Sequence, residues 1–177
     1  MRKFEKVSRI EGEIEMPRRS TSKAAGYDFI CPEDTICKAH EITLVKSGVK
    51  AYFPDNETLL LFNRSSNPKK KGLIILNGVG VVDADYADCK ENEGEIAGLF
   101  YNMNNEDFVL KAGEKMMQGV FVNYSITDDD NAEGERCGGF RKYWKIKYME
   151  VKNGIIYRRI YTRINGWINI KFINSSK

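Results

Sequence analysis

The chain has 177 residues, 42% of them hydrophobic and 30% charged, enough for one domain with a proper core and too few for two comfortable ones. Its net charge of +3 conceals a split: residues 1–140 hold 18 basic and 24 acidic side chains, whereas residues 141–177 hold ten basic ones against Glu150 alone. No apolar run is long enough to span a membrane, and the charged N-terminus MRKFEKVSRIEGEIEM lacks the apolar stretch of a signal peptide, so a cytoplasmic protein with no membrane partner is expected.

In chain order, Ala24-Ala25-Gly26-Tyr27-Asp28 places an acid after small residues, and Asp28 suits an outer-shell partner of Mg²⁺, which keeps its waters. Taken alone, a capping or turn role for Asp28 takes precedence. Four cysteines follow at Cys31, Cys37, Cys89 and Cys137, without the paired spacing of a zinc site, and are expected as free thiols. The only histidine, His40, lies in KAHEITLV, where a solvent-facing place at a strand start is expected. Catalysis is therefore sought among carboxylates and a hard metal rather than in a Ser-His or Cys-His pair. Short segments rich in β-formers, separated by Gly, Asn, Asp and Pro clusters, predict strands over Glu41–Val45, Val49–Phe53, Thr58–Phe62, Gly72–Leu76, Gly94–Asn102, Asp107–Leu110 and Gly119–Tyr124. Helical periodicity is confined to a weak turn at Asn67–Lys71. The whole reads as all-β, a sandwich, barrel or jelly roll.

Between these strands lies the chemistry. Arg64-Ser65-Ser66 puts a guanidinium fork beside two hydroxyls, a set that suits phosphate oxygens, although by itself it is first of all a loop with a surface arginine and a serine cap. Asn77-Gly78-Val79-Gly80-Val81-Val82-Asp83-Ala84-Asp85-Tyr86 combines a turn signal with glycines that admit a flat ligand. Asp83, at the end of an apolar run, is expected to be partly shielded and to act as general base toward a water, and Tyr86 to offer a flat face. A hairpin with Asp83 and Asp85 as turn formers is an equal alternative. Gln118, before the strand Gly119–Tyr124, offers an amide to a phosphate. The acidic run Thr127–Glu135 reads as a flexible linker, and a glycine-rich segment, Arg136–Phe140, follows it.

AAGYD, NRSSNPKKKG, NGVGVVDADY, GEKMMQG and RCGGF follow one another as the five motifs of the trimeric dUTPase family do, so that residues 16–140 resemble that family. Ala87–Glu95 resembles the lengthened third-motif hairpin of some bacterial and phage members. The resemblance implies a jelly-roll (β-clip type) domain over 1–126, a flexible arm over 127–140, and a homotrimer whose active sites are shared between chains. It implies hydrolysis of dUTP to dUMP and pyrophosphate with Mg²⁺ on the phosphates. Asn77, Gly80 and Val82 would read uracil, Tyr86 would lie under the deoxyribose, and Phe140 would stack on the base. Arg64, Ser65, Ser66, Gln118 and Arg136 would hold the phosphates, Asp28 would contact metal-bound water, and Asp83 would activate the attacking water. A dCTP deaminase of the same fold and a catalytically weak regulatory binding protein are the alternatives; a nucleic-acid partner is not expected.

Two departures stand out. Lys115 and Met117 occupy places where the family usually has Arg and Ala. More seriously, the fifth motif of the family, R-x-G-G-F-G-S-T-G, matches through Phe140 and stops at Arg141. The tail, 141–177, is either a basic appendage or the product of a shifted frame. If Arg141 to Lys145 are encoded AGG AAG TAC TGG AAA, reading from the second base yields Gly-Ser-Thr-Gly-Lys, and an ATA codon at Ile146 then yields a stop.

Overall fold

Twelve short strands form along residues 3–123, and every ladder between them is antiparallel. They are β1 (Lys3–Lys6), β2 (Arg18–Arg19), β3 (Tyr27–Ile30), β4 (Thr35–Cys37), β5 (Ile42–Lys46), β6 (Val49–Tyr52), β7 (Glu57–Asn63), β8 (Leu73–Ile75), β9 (Val79–Val82), β10 (Ala97–Asn102), β11 (Phe108–Leu110) and β12 (Lys115–Asn123). The computed structural model describes residues 1–134 in full, and beyond them the backbones of β13 (Ile146–Lys152), β14 (Ile155–Ile164) and β15 (Trp167–Asn174). The chain divides into two compact units, Met1–Cys137 and Gly138–Lys177.

In the first unit four small sheets, β1-β6, β5-β10-β8, β4-β11 and β2-β3-β12-β7-β9, enclose one core in the expected jelly-roll manner. Phe29, Leu59, Phe100, Leu110, Met116 and Met117 are fully buried there. Alternation along the strands decides which residues enter: Leu59 and Leu61 of β7 face the core, while Leu60 and Phe62 lie half-exposed on the other side. Gly119 in β12 is needed because a Cβ there would lie 2.8 Å from the Phe29 ring and 2.9 Å from Leu59. All seven predicted strands form, each within a few residues of the expected bounds. β1, β2, β3, β4 and β9 were not predicted. They are two to four residues long and carry too few alternations to register.

The expected turn at Asn67–Lys71 is a single π-type turn, closed by Gly72 in the left-handed region (φ 64°). Asn67 is buried within it and donates through Nδ2 to the Met116 carbonyl (2.6 Å) and to Asn63 Oδ1 (2.8 Å), tying the turn to β12 and β7. Cys31 and Cys37 are core thiols that burial pushes above the ordinary value, and Cys89 is likewise a free thiol; Cys137 lies outside the described residues. His40 is exposed just before β5, as expected. Among the described residues no helix is long and apolar enough to cross a membrane. In the second unit β13, β14 and β15 form an antiparallel meander.

Candidate active site

The five-stranded sheet assembles the site by register. Asp28 of β3 pairs with Gln118 of β12, Gln118 with Phe62 of β7, and Phe62 with Val79 of β9. These four therefore form one row across the sheet's outer face, with Val120, Leu60 and Val81 in the next. A bulge between Lys115 and Met117 interrupts the β12–β3 ladder. Residues three apart on a regular strand point to opposite faces; the extra residue brings both Lys115 and Gln118 to the Asp28 side.

An open cleft of about 430 Å³ lies on this face, lined by Ser20, Ala24, Gly26, Asp28, Arg64, Ser65 and Gln118, with Phe62 and Val120 as its apolar floor. Three separate sequence segments meet there: the stretch leading into β3, the residues after β7, and β12. Gly26 allows the close approach of Gln118, whose Oε1 would lie 2.8 Å from a Cβ at that position, and Gln118 Nε2 donates to the Asn63 carbonyl at 3.4 Å.

Asp28 is the electrostatic centre of the cleft, 7% exposed. Arg64 Nε donates to its Oδ1 (3.0 Å), and Lys115 Nζ (2.7 Å) and Ser20 Oγ (2.6 Å) donate to its Oδ2. Burial alone would push this carboxyl up, but the bonds from Lys115 and Ser20 and the charges of Arg64 and Lys115 outweigh it and hold it below its ordinary value. The expected outer-shell acid thus carries two cations of its own. Ser20 was not singled out from the sequence, and Lys115 was noted only as a departure in the fourth motif, not as a site residue. The available signal was the place of Lys115, where its charge stands in for the usual arginine.

The segment Asn77–Tyr86 lies apart from the cleft lining. Asn77 and Gly78 form a turn, Gly78 in the left-handed region (φ 71°) with its N–H donating to the Ile75 carbonyl, but β8 and β9 on either side belong to different sheets. That turn carries the chain from β10's sheet to β7's, and the alternative of a hairpin with Asp83 and Asp85 as turn formers is corrected as well: Asp83 opens a 3-10 turn at Ala84–Tyr86, and the strands on either side, β9 and β10, lie in different sheets. Gly80 and Val82 face inward, and a Cβ on Gly80 would lie 3.2 Å from Leu61. Thr58 Oγ1 donates to the Val82 carbonyl (2.9 Å) and fixes the strand end ahead of Asp83. Asp83 itself is exposed, not partly shielded as expected, because β9 is an edge strand whose outward Val79 and Val81 are also exposed, at 40% and 63%. Tyr86 has its ring in the core, 5% exposed; its hydroxyl donates to the Glu95 carbonyl (3.3 Å) and accepts from Asn92 Nδ2 (2.8 Å). Any flat face it offers is therefore narrow. Of the residues expected on phosphate, Arg64, Ser65 and Gln118 line the cleft and Ser66 stands beside Ser65; Arg136 and Phe140 lie outside the described residues.

A family model for dUTPase matches residues 12–136. The chain belongs to the dUTPase family. A deoxyuridine 5'-triphosphate nucleotidohydrolase of Lactococcus lactis is 42% identical over 143 residues, covering 79% of this chain and 95% of the relative. The dUTPase of Streptococcus mutans superposes with a TM-score of 0.69 at 46% identity, covering 71% of this chain and 98% of that one. A dUTPase from phage phi11 of Staphylococcus aureus, 20% identical, shares the fold at a TM-score of 0.62. The dUTPase match ends just short of the tail, at the residue where the fifth motif begins.

Proposed function

We propose that this dUTPase-family chain hydrolyses dUTP to dUMP and pyrophosphate in the cytoplasm, as a homotrimer with shared active sites. The observation that carries the proposal is the separation just described. The cleft with Arg64, Ser65 and Gln118 suits a phosphate chain, while Asn77, Gly80, Val82 and Asp83 stand elsewhere on the same subunit, along the exposed apolar edge of Val79 and Val81. A second subunit laid against that face covers the apolar row, shields Asp83, and brings a base-reading segment to a neighbour's phosphate cleft.

In this arrangement Asn77 and the main chain of Gly80 to Val82 read the uracil edge, and the edge of Tyr86 supports the deoxyribose. Arg64, Ser65, Ser66 and Gln118 hold the triphosphate, joined by Arg136, with Phe140 stacking on the base. Asp83 orients a water and takes its proton as the oxygen bonds to the α-phosphorus. The bond from that phosphorus to the α,β-bridging oxygen breaks, and pyrophosphate leaves with the electron pair. The chain's own contribution is positioning and charge placement.

Mg²⁺ fits the cleft as a guest of the substrate. Among the described residues no three Asp, Glu, His or Cys side chains gather as a cage. A lone carboxylate already facing two cations suits a metal's water rather than the metal, so Asp28 would hold it through water. Bound on the phosphates, Mg²⁺ neutralises their charge.

The test is Asp83→Asn. Pyrophosphate release from dUTP should fall by about a thousandfold, within the range for loss of a general base, while binding of the non-hydrolysable α,β-imido analogue persists. Undiminished pyrophosphate release would overturn the assignment, and ammonia release from dCTP would replace it with a deaminase.

We further infer that residues 141–177 are read in a shifted frame. Support comes from the sequence, where the fifth-motif resemblance stops at Phe140 and a shifted reading of one codon choice for Arg141 to Lys145 continues it as Gly-Ser-Thr-Gly-Lys. Sequencing the gene tests this: an Arg141 codon not ending in GG, or AAA at Lys142, would overturn it.

A further inference from the structure

The two oxygens of Asp28 are held unequally. Oδ2 accepts from Lys115 Nζ at 2.7 Å and from Ser20 Oγ at 2.6 Å, and Lys115 Nζ also donates to Ser20 Oγ at 2.9 Å. Ser20 and Asp28, eight residues apart, and the distant Lys115 thus close a triangle on one oxygen. On Oδ1, by contrast, the one bond among the described residues comes from Arg64 Nε, at 3.0 Å.

Arg64 gives Asp28 one N–H, from Nε, and turning its guanidinium fully onto phosphate competes with that bond. It lines the phosphate cleft, and its planar fork binds phosphate best through two parallel N–H bonds. A triphosphate presents several negative charges against the single charge of Asp28, so arrival of the substrate draws the guanidinium toward the phosphates. A carboxylate as buried as Asp28 would be costly to leave without a cation. Lys115 meets that need from the side. It does not itself line the cleft, whereas Ser20 does. The bulge at the start of β12 is what allows Lys115 to reach this carboxylate while Gln118 faces the cleft beside it.

We propose that Ser20 and Lys115 are positioning residues that anchor Asp28 through Oδ2 while Arg64 passes from Oδ1 to the substrate phosphates, leaving Oδ1 as the oxygen that accepts a metal-bound water. The inference rests on the dUTP-hydrolase reading. It gives the two oxygens of one carboxylate different tasks, one structural and one facing the substrate. It also assigns the lysine at the fourth-motif position a role exerted through Asp28 rather than on phosphate directly.

The experiment is equilibrium binding of the α,β-imido analogue of dUTP by calorimetry, with Mg²⁺ and again with EDTA. It uses the full chain and the variants Lys115→Met, Lys115→Arg, Ser20→Ala, Asp28→Ala and the Asp28→Ala/Lys115→Met double. With Mg²⁺, Lys115→Met should weaken binding by about tenfold and Ser20→Ala by about threefold, as expected for a charged and a neutral hydrogen bond. Lys115→Arg should bind as the wild type does. With EDTA all variants should lie within about twofold of the wild type, the spread of substitutions that touch nothing essential. In the Asp28→Ala background, Lys115→Met should add nothing further.

Equal losses with and without Mg²⁺, additive losses in the double variant, or failure of Lys115→Arg to restore binding would each overturn the inference. Should Lys115→Met not fold, Ser20→Ala, which removes a single hydroxyl, carries the same comparison. Wild-type chain that binds the analogue and hydrolyses dUTP while Lys115→Met binds as tightly with Mg²⁺ defeats this inference alone. Wild-type chain that does neither defeats the hydrolase reading and this inference with it.

Discussion

Gly94→Ala tests the coupling between the long loop after β9 and Tyr86, the residue proposed to support the deoxyribose. Gly94 sits in the left-handed region (φ 74°), and a Cβ there would collide with the Tyr86 carbonyl oxygen and lie 2.7 Å from Ala87 Cα. The atoms it meets are backbone, so no side-chain rotation relieves the clash. The loop is also tightly tied: Asn92 Nδ2 donates to the Tyr86 hydroxyl, Asn92 Oδ1 accepts from the Gly94 N–H at 3.2 Å, and the Tyr86 hydroxyl donates to the Glu95 carbonyl. The left-handed conformation costs a non-glycine residue about 1–2 kcal/mol. Forcing an extra carbon into a packed site adds about 1–3 kcal/mol. The expected loss is therefore about 2–5 kcal/mol, and at a few degrees per kcal/mol the melting temperature falls by roughly 10 °C.

Gly12→Ala is the control, because Gly12 has nearly the same φ (69°) and open space around its Cβ position. It should lose only the conformational part, about 1–2 kcal/mol. Thermal unfolding of both variants at one protein concentration gives the comparison. Because the displaced group is the Tyr86 backbone, Gly94→Ala should also lower the preference for dUTP over UTP in kcat/KM by about tenfold, as small misplacements of a positioning residue do. Equal melting temperatures for the two variants, or unchanged sugar preference with a large stability loss, would refute the reasoning.

Three further outcomes are expected. Val81→Glu, at a 63%-exposed edge position, should dissociate the proposed trimer in size-exclusion chromatography and abolish turnover while the circular dichroism of the subunit is retained. Asp28 is held below its ordinary value in the folded chain, so its ion pairs stabilise fully above the unfolded carboxyl pKa and are lost as pH falls through the folded one; Asp28→Asn should flatten the acid limb of stability against pH below about 4. Replacing the segment after Phe140 by Gly-Ser-Thr-Gly-Lys and ending there should raise kcat severalfold, since glycines in left-handed turns present main-chain N–H groups to phosphate, as a nest does.

Much of this was legible in the residues themselves. Strands such as Glu57–Asn63 and Ala97–Asn102 are long and rich in β-formers, and the breaks at Asn67–Lys71 and Asn77-Gly78 carry their own turn chemistry. Asp28, Arg64, Ser65 and Gln118 were all expected near phosphate from the order of their motifs. The sequence by itself thus determined the fold class and the family, and it named four residues that line one cleft, because these depend on local propensity and on side-chain chemistry that travels with each residue.

Only the tertiary structure decided how that cast is deployed. Tyr27–Ile30 looked like a motif around an acid and is in fact a strand, since four residues hold too little periodicity to show. That Lys115 and Ser20 converge on Asp28 depends on a bulge and on a ladder between segments 87 residues apart, which no local window contains. Asp83 seemed shielded because apolar residues precede it, but shielding is a property of what packs above an edge strand. In one subunit that face of β9 is open, and it is in the proposed trimer that a second copy would enclose the carboxylate proposed to activate water.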